Sequence, residues 1–126
     1  MKKNKISKNW INKQRRDIYV RKSKLEGYRS RAIYKLKEID DKFKIIRNGI
    51  KVVDLGSAPG SWSQYLSEKS KNSKILSIDL KDIEKIHNVT HLIGDFLDEK
   101  NQTIISNFFE DKLDLIVSDM ACLLYT

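Results

Sequence analysis

Three aspartates, Asp79, Asp95 and Asp119, each close a short apolar stretch, and a fourth such stretch ends instead in Gly56-Ser57-Ala58-Pro59-Gly60. Glycines at a strand-to-helix turn let backbone approach a ligand closely, because no Cβ intervenes. In an open parallel sheet, ligands bind beyond the carboxyl ends of the strands, where strand order reverses. Four strand ends equipped in this way therefore read as one cleft. The Gly56 to Gly60 spacing is not the G-x-G-x-x-G dinucleotide fingerprint and suits a ligand without a pyrophosphate. Asp79 lies 23 residues after Gly56; an acid there can accept from both hydroxyls of an unphosphorylated ribose and opposes a 2′-phosphate. Alone, the glycine loop is a weak signal, and aspartates at strand ends also serve as helix N-caps. It is their joint occurrence at four strand ends that argues for a cleft. On spacing alone, nicotinamide cofactors and S-adenosylmethionine both remain candidates, and no metal site is expected.

The elements that position these residues follow from the hydrophobic periodicity. The β-branched run Ile50-Lys51-Val52-Val53-Asp54-Leu55 reads as a buried strand stopped by Gly56. Further strands are expected at Lys74 to Asp79, near Val89 to Ile93, and at Leu113 to Ser118. Helical spacing runs from Trp62 to about Lys69 and between Asp98 and Glu110, where Ile104, Ile105, Phe108 and Phe109 recur. Upstream, Ser30 is expected to cap a helix whose buried stripe is Ala32, Leu36, Ile39 and Phe43, with Lys35 at its margin. Strands alternating with helices imply βαβ crossovers, hence a parallel sheet with helices on both faces. From Ile6 to Tyr28 the chain is polar and basic, as befits an arm or short helices lying on a larger body.

The charge of +8 is uneven: residues 1–51 hold 18 Lys and Arg against 5 Asp and Glu, whereas the remaining 75 hold 7 against 12. Interleaving of Trp10, Tyr19, Tyr28 and Tyr34 with Arg15, Arg16, Arg21, Lys22, Arg29 and Arg31 offers stacking surfaces between cations, a pattern suited to unpaired bases and phosphates. A solvated face is the plainer explanation of such a run. At 126 residues the chain makes one domain at most. No apolar run approaches the ~20 residues of a bilayer span, and no apolar signal region follows the basic N-terminus, so neither membrane insertion nor export is expected. The single Cys122 allows no internal disulfide and fits a reducing cytoplasm.

Val52-Val53-Asp54-Leu55-Gly56-Ser57-Ala58-Pro59-Gly60-Ser61-Trp62-Ser63-Gln64-Tyr65 resembles the cofactor motif of the FtsJ-type ribosomal RNA methyltransferases, the methyltransferase E family. Arg29-Ser30-Arg31-Ala32-Ile33-Tyr34-Lys35-Leu36 resembles that family's upstream helix, Gly94-Asp95-Phe96 its third strand end, and Val117-Ser118-Asp119-Met120-Ala121 its acidic catalytic motif. The resemblance runs from about Trp10 to Ala121 and implies an α/β, Rossmann-like methyltransferase fold with strand order 3-2-1-4. Residues 1–47 would form a basic RNA-binding arm and helix, and 48–126 the S-adenosylmethionine-binding half domain.

Carried over position by position, the resemblance implies that Gly56 binds the cofactor, Gly60 and Trp62 line its methionine side, Asp79 holds its ribose and Asp95 contacts its adenine. Asp119 would border the same ligand. Lys35 and Asp119 would be the first two members of the family's Lys-Asp-Lys-Glu catalytic set. The implied reaction is methylation of a ribose 2′-oxygen, that of a uridine, in large-subunit ribosomal RNA by a cytoplasmic monomer. The family's second lysine, its glutamate and its last three strands correspond to positions beyond Thr126, and Cys122-Leu123-Leu124-Tyr125-Thr126 departs from the family pattern, so a truncated fragment of low activity is expected. Two rivals stay open: an RNA-binding module without catalysis, and a nicotinamide-dependent oxidoreductase.

Overall fold

A computed structural model describes residues 2–119, with side chains described from residue 8 onward. Met120, Ala121 and Cys122, which figured in the catalytic motif and the redox reading, lie outside the described residues. In chain order the elements are α1 (Lys2–Leu25), α2 (Ile33–Phe43), β1 (Lys51–Leu55), α3 (Ser61–Lys69), β2 (Lys74–Asp79), β3 (Val89–Ile93), α4 (Glu99–Phe108) and β4 (Leu115–Ser118). The four strands form one parallel sheet of order β3-β2-β1-β4. That is the order and class expected of the sequence.

Val52 and Val53 put branched side chains on both faces of β1, the pattern of a strand covered on each side. On one face Val52 and Ile75 pack with Trp62, Tyr65 and Leu66 of α3, and with Ile33 and Leu36 of α2. On the other face Val53, Leu76 and Ile78 pack against Ile105 and Phe109. The capping of α4 is conventional: the Asp98 carboxylate accepts from the Lys100 amide at 3.0 Å, and Glu99 sits in the positive first turn. Among the described residues β4 is an edge strand, and Ile116 on it is 58% exposed.

Three sequence expectations are corrected. The basic segment is neither loose arm nor short helices but a single 24-residue helix; no Gly or Pro interrupts Lys2 to Leu25, and the turn comes at Gly27, whose φ is +79°. The stripe of α2 is rotated: Ile33, Leu36 and Asp40 face inward, whereas Phe43 is 64% exposed. The helix begins at Ile33 with Ala32 as its N-cap, and the Ser30 hydroxyl donates to Ser61 Oγ at 2.9 Å instead of capping.

Asp40 is tolerated in that buried stripe because both its oxygens are used. The Tyr65 hydroxyl donates to Oδ2 at 2.8 Å and the Ile46 amide to Oδ1 at 3.0 Å. Both groups would be stranded in Asp40→Ala, at roughly 1–3 kcal/mol for each unpaired buried partner. In urea unfolding the Asp40→Ala, Tyr65→Phe double variant should therefore cost less than the sum of the single variants. Simple additivity would show that the pair is not coupled.

Candidate active site

The parallel register fixes where the functional residues emerge. Leu55 pairs with Ile78 on one side and Ser118 on the other, so Gly56, Asp79 and Asp119 leave the sheet at the same edge. Strand order reverses there, with β2 on one side of β1 and β4 on the other, the position at which ligands bind in such sheets.

The glycine loop is held from below by β2. The Gly56 and Ser57 amides donate to the Ile78 carbonyl at 2.8 and 3.2 Å. The Asp79 carboxylate accepts from the Ala58 amide through Oδ2 at 3.0 Å and from the Lys81 amide through Oδ1 at 2.8 Å. Each oxygen has a second lone pair, so the carboxylate is fixed in orientation and still able to accept from hydroxyls. Lys81 is held in turn: its carbonyl accepts from His91 Nε2 at 3.0 Å, which leaves Nδ1 to accept from the Ser77 hydroxyl at 2.7 Å. Gly60, with φ at +106°, is strained for any other residue and closely packed, since a Cβ would lie 3.0 Å from Ile86 Cδ1, 3.2 Å from Arg29 Nη1 and 3.3 Å from Ile83 Cδ1.

Trp62 is differently placed from the simplest expectation. Its indole is buried and donates to the Ala32 carbonyl at 2.7 Å, so the ring is committed to the core. Asp95 is exposed beyond β3, with Oδ1 accepting from the Leu97 amide at 2.9 Å. Lys35, although 84 positions upstream of Asp119 in sequence, brings its Nζ to 3.8 Å from Asp119 Oδ1. Both are roughly half exposed, and both line a cleft of about 1060 Å³ whose other wall is Tyr19 and Lys22 of α1, with Arg31 and Tyr34.

The basic residues divide. Arg15, Arg16, Arg21 and Lys22 are exposed along α1, and Arg31 is exposed at the cleft. Lys22 Nζ lies 5.0 Å over the Tyr34 ring, whose hydroxyl donates to Glu26 at 2.8 Å. Arg29 instead turns inward, donating to the carbonyls of Pro59, Glu84 and Lys85.

Asp54 was not singled out by the sequence reading, although an acid inside an apolar strand is a visible signal. It is 1% exposed, with the Ser63 hydroxyl donating to Oδ2 at 2.8 Å. Burial pushes its carboxyl up to about 7, against the lowering effect of the Ser63 hydroxyl and amide, while Asp119 and Asp79 add to the rise.

A parallel sheet of order β3-β2-β1-β4 with a glycine loop after β1 and acids at the neighbouring strand ends places the chain in the Rossmann-like class of α/β domains. Residues 28–124 match the family described as FtsJ-like methyltransferase, and the chain belongs to that family. It is 60% identical over 121 residues to the ribosomal RNA large subunit methyltransferase E of Pelagibacter ubique, covering 96% of this chain and 60% of that protein. The protein of the same name from Legionella pneumophila (strain Corby) is 47% identical over 123 residues, with the same coverage. A crystal structure described as a ribosomal RNA methyltransferase of Plasmodium falciparum superposes with a TM-score of 0.67 at 36% identity, over 73% of this chain and 56% of that one. The chain thus spans about 60% of the length of the curated relatives it matches.

The Asp54 geometry yields a pH prediction. Its folded-state pKa of about 7 lies above the ordinary 3.8, so between these values the folded protein binds the extra proton. Its contribution to stability is then full below about pH 4 and is lost as pH rises through about 7. Asp54→Asn should remove that part of the pH dependence in denaturant midpoints between pH 4 and 8. A variant as pH-dependent as the parent would assign the titration to another group.

Proposed function

We propose that this chain carries the cofactor site and part of the catalytic site of an S-adenosylmethionine-dependent ribose 2′-O-methyltransferase acting on a uridine of large-subunit ribosomal RNA. The observation that carries the reading is the Lys35 and Asp119 pair, 3.8 Å apart at the mouth of a cleft bordered by the basic helix α1.

The residues present fit the cofactor. Gly56 and Gly60 would admit its methionine end against backbone, joined by the amide side of Trp62. Asp79, aimed by two backbone amides, would accept from the two ribose hydroxyls, a role a 2′-phosphorylated nucleotide would oppose. Asp95 would meet the adenine at the end of β3. When bound, S-adenosylmethionine supplies an electrophilic methyl group on a cationic sulfur.

A ribose hydroxyl is a poor nucleophile at neutral pH and must be held in line and relieved of its proton. Lys35 would orient the hydroxyl, and Asp119, next to the ligand, would hold Lys35 in place and neutralise its charge. By resemblance the base itself is a lysine corresponding to a position beyond residue 126. Arg15, Arg16, Arg21, Lys22 and Arg31 would meet phosphates of the RNA, a sequence-independent attraction that positions rather than selects. Residues 1–47 are on this reading the RNA-binding part, and 48–126 the cofactor-binding part.

The test joins this chain to the C-terminal portion of the Pelagibacter ubique relative that extends past the matched region, and supplies labelled S-adenosylmethionine with undermethylated large-subunit RNA. Label should appear on a ribose 2′-oxygen. Lys35→Ala or Asp119→Ala should lower the rate by on the order of 10²-fold or more, the usual consequence of a misplaced reacting group. Label on a base, or full rates in both variants, would overturn the reading.

A further inference from the structure

The segment between α1 and α2 is stitched to the glycine loop and the start of α3 more densely than a connector requires. Gln64 Nε2 donates to the Gly27 carbonyl at 2.8 Å, and Gln64 Oε1 accepts from the Arg29 amide at 3.2 Å. Ser30 bonds Ser61, and Trp62 bonds Ala32. With its backbone anchored in this way, Arg29 sends its guanidinium to two other segments. Nη1 donates to the Pro59 carbonyl at 3.1 Å and to the Glu84 carbonyl at 2.7 Å, and Nη2 to the Lys85 carbonyl at 3.2 Å.

Pro59 belongs to the glycine loop, whereas Glu84 and Lys85 lie on the irregular connector between β2 and β3. We propose that Arg29 is a positioning residue for the cofactor site, fastening that connector to the glycine loop and so fixing how the two segments stand beside Gly60. This rests on the cofactor reading given above. The geometry explains two things together. The Ile83 and Ile86 side chains come within 3.0 to 3.3 Å of where a Gly60 Cβ would stand, so the connector is drawn tight against the loop. A planar fork of N–H donors can also reach carbonyls on two segments at once, which a lysine's single nitrogen does poorly. A guanidinium committed to three carbonyls is correspondingly ill placed to serve as a phosphate ligand, the role its position in the basic run suggests.

Arg29→Ala and Arg29→Lys in the 126-residue chain separate these roles through three readings: calorimetric titration with S-adenosylhomocysteine, amide hydrogen exchange, and RNA affinity as a function of salt. Affinity for S-adenosylhomocysteine should fall about tenfold or more in Arg29→Ala, equivalent to about 1.4 kcal/mol, and by less in Arg29→Lys. Exchange should quicken in residues 81–88 while the α3 amides keep their protection, and the salt slope of RNA binding should stay unchanged. Unaltered ligand affinity with unaltered exchange would overturn the proposal, as would a salt slope lower by about one, the signature of a lost phosphate contact. Should the alanine variant fail to fold, the lysine variant, which keeps the charge but not the fork, carries the same comparisons. If the parent chain itself binds no S-adenosylhomocysteine, the cofactor reading fails, and accelerated exchange in 81–88 still reports whether Arg29 fastens the connector.

Discussion

Parallel hydrogen bonding of β1 on both sides is the constraint on which the cleft depends. It sets Leu55 level with Ile78 and Ser118, so that the glycine loop, Asp79 and Asp119 emerge together. A slip of one residue would turn every side chain of β1 to the opposite face. Val52 and Val53 make such a slip costly, because each is buried in a different core. Packing of the two faces thus determines where the glycine loop, Asp79 and Asp119 stand relative to one another.

The same register explains the buried polar row across one face. Asp54 of β1 pairs with Ser77 of β2, and Ser77 with His91 of β3. None of the three is left without a partner: Ser63 serves Asp54, and His91 lies between the Ser77 hydroxyl and the Lys81 carbonyl. Such a row costs desolvation, and the raised pKa of Asp54 is the visible part of that cost. In return, the start of α3 and the connector after Asp79 are tied directly to the sheet that carries the glycine loop. Linker bonds close the structure from the other side, joining the segment after the basic helix to the glycine loop and α3 through the Arg29 guanidinium, the Ser30 hydroxyl and the Ala32 carbonyl.

Strand positions and parallel pairing were legible because each strand is a short apolar run bounded by glycine or aspartate, and because alternation with helices leaves few topologies; the order of the strands was legible through the resemblance. The approach of Lys35 to Asp119 was legible only through resemblance, since no local pattern links positions so distant. What escaped was set by tertiary partners. Asp40 takes the place expected of Ile39 and Phe43 because Tyr65 and the Ile46 amide supply its hydrogen bonds. Arg29 sits among cations that face outward, and nothing in its neighbours announces the three carbonyls waiting on other segments. The unbroken helix α1 was visible as the absence of Gly and Pro, yet its low apolar content disguised it as an arm.

The central claim is that the glycine loop and the neighbouring strand ends form a single site for an S-adenosyl ligand. Amide NMR spectra of the 126-residue chain, recorded while S-adenosylhomocysteine is added, test this most directly. Saturable shifts should concentrate in Gly56 to Trp62, around Asp79 to Lys81 and around Asp95, with α1 and the outer turns of α4 unmoved. Shifts confined to α1 and α2, or spread evenly over the chain without saturation, would contradict it.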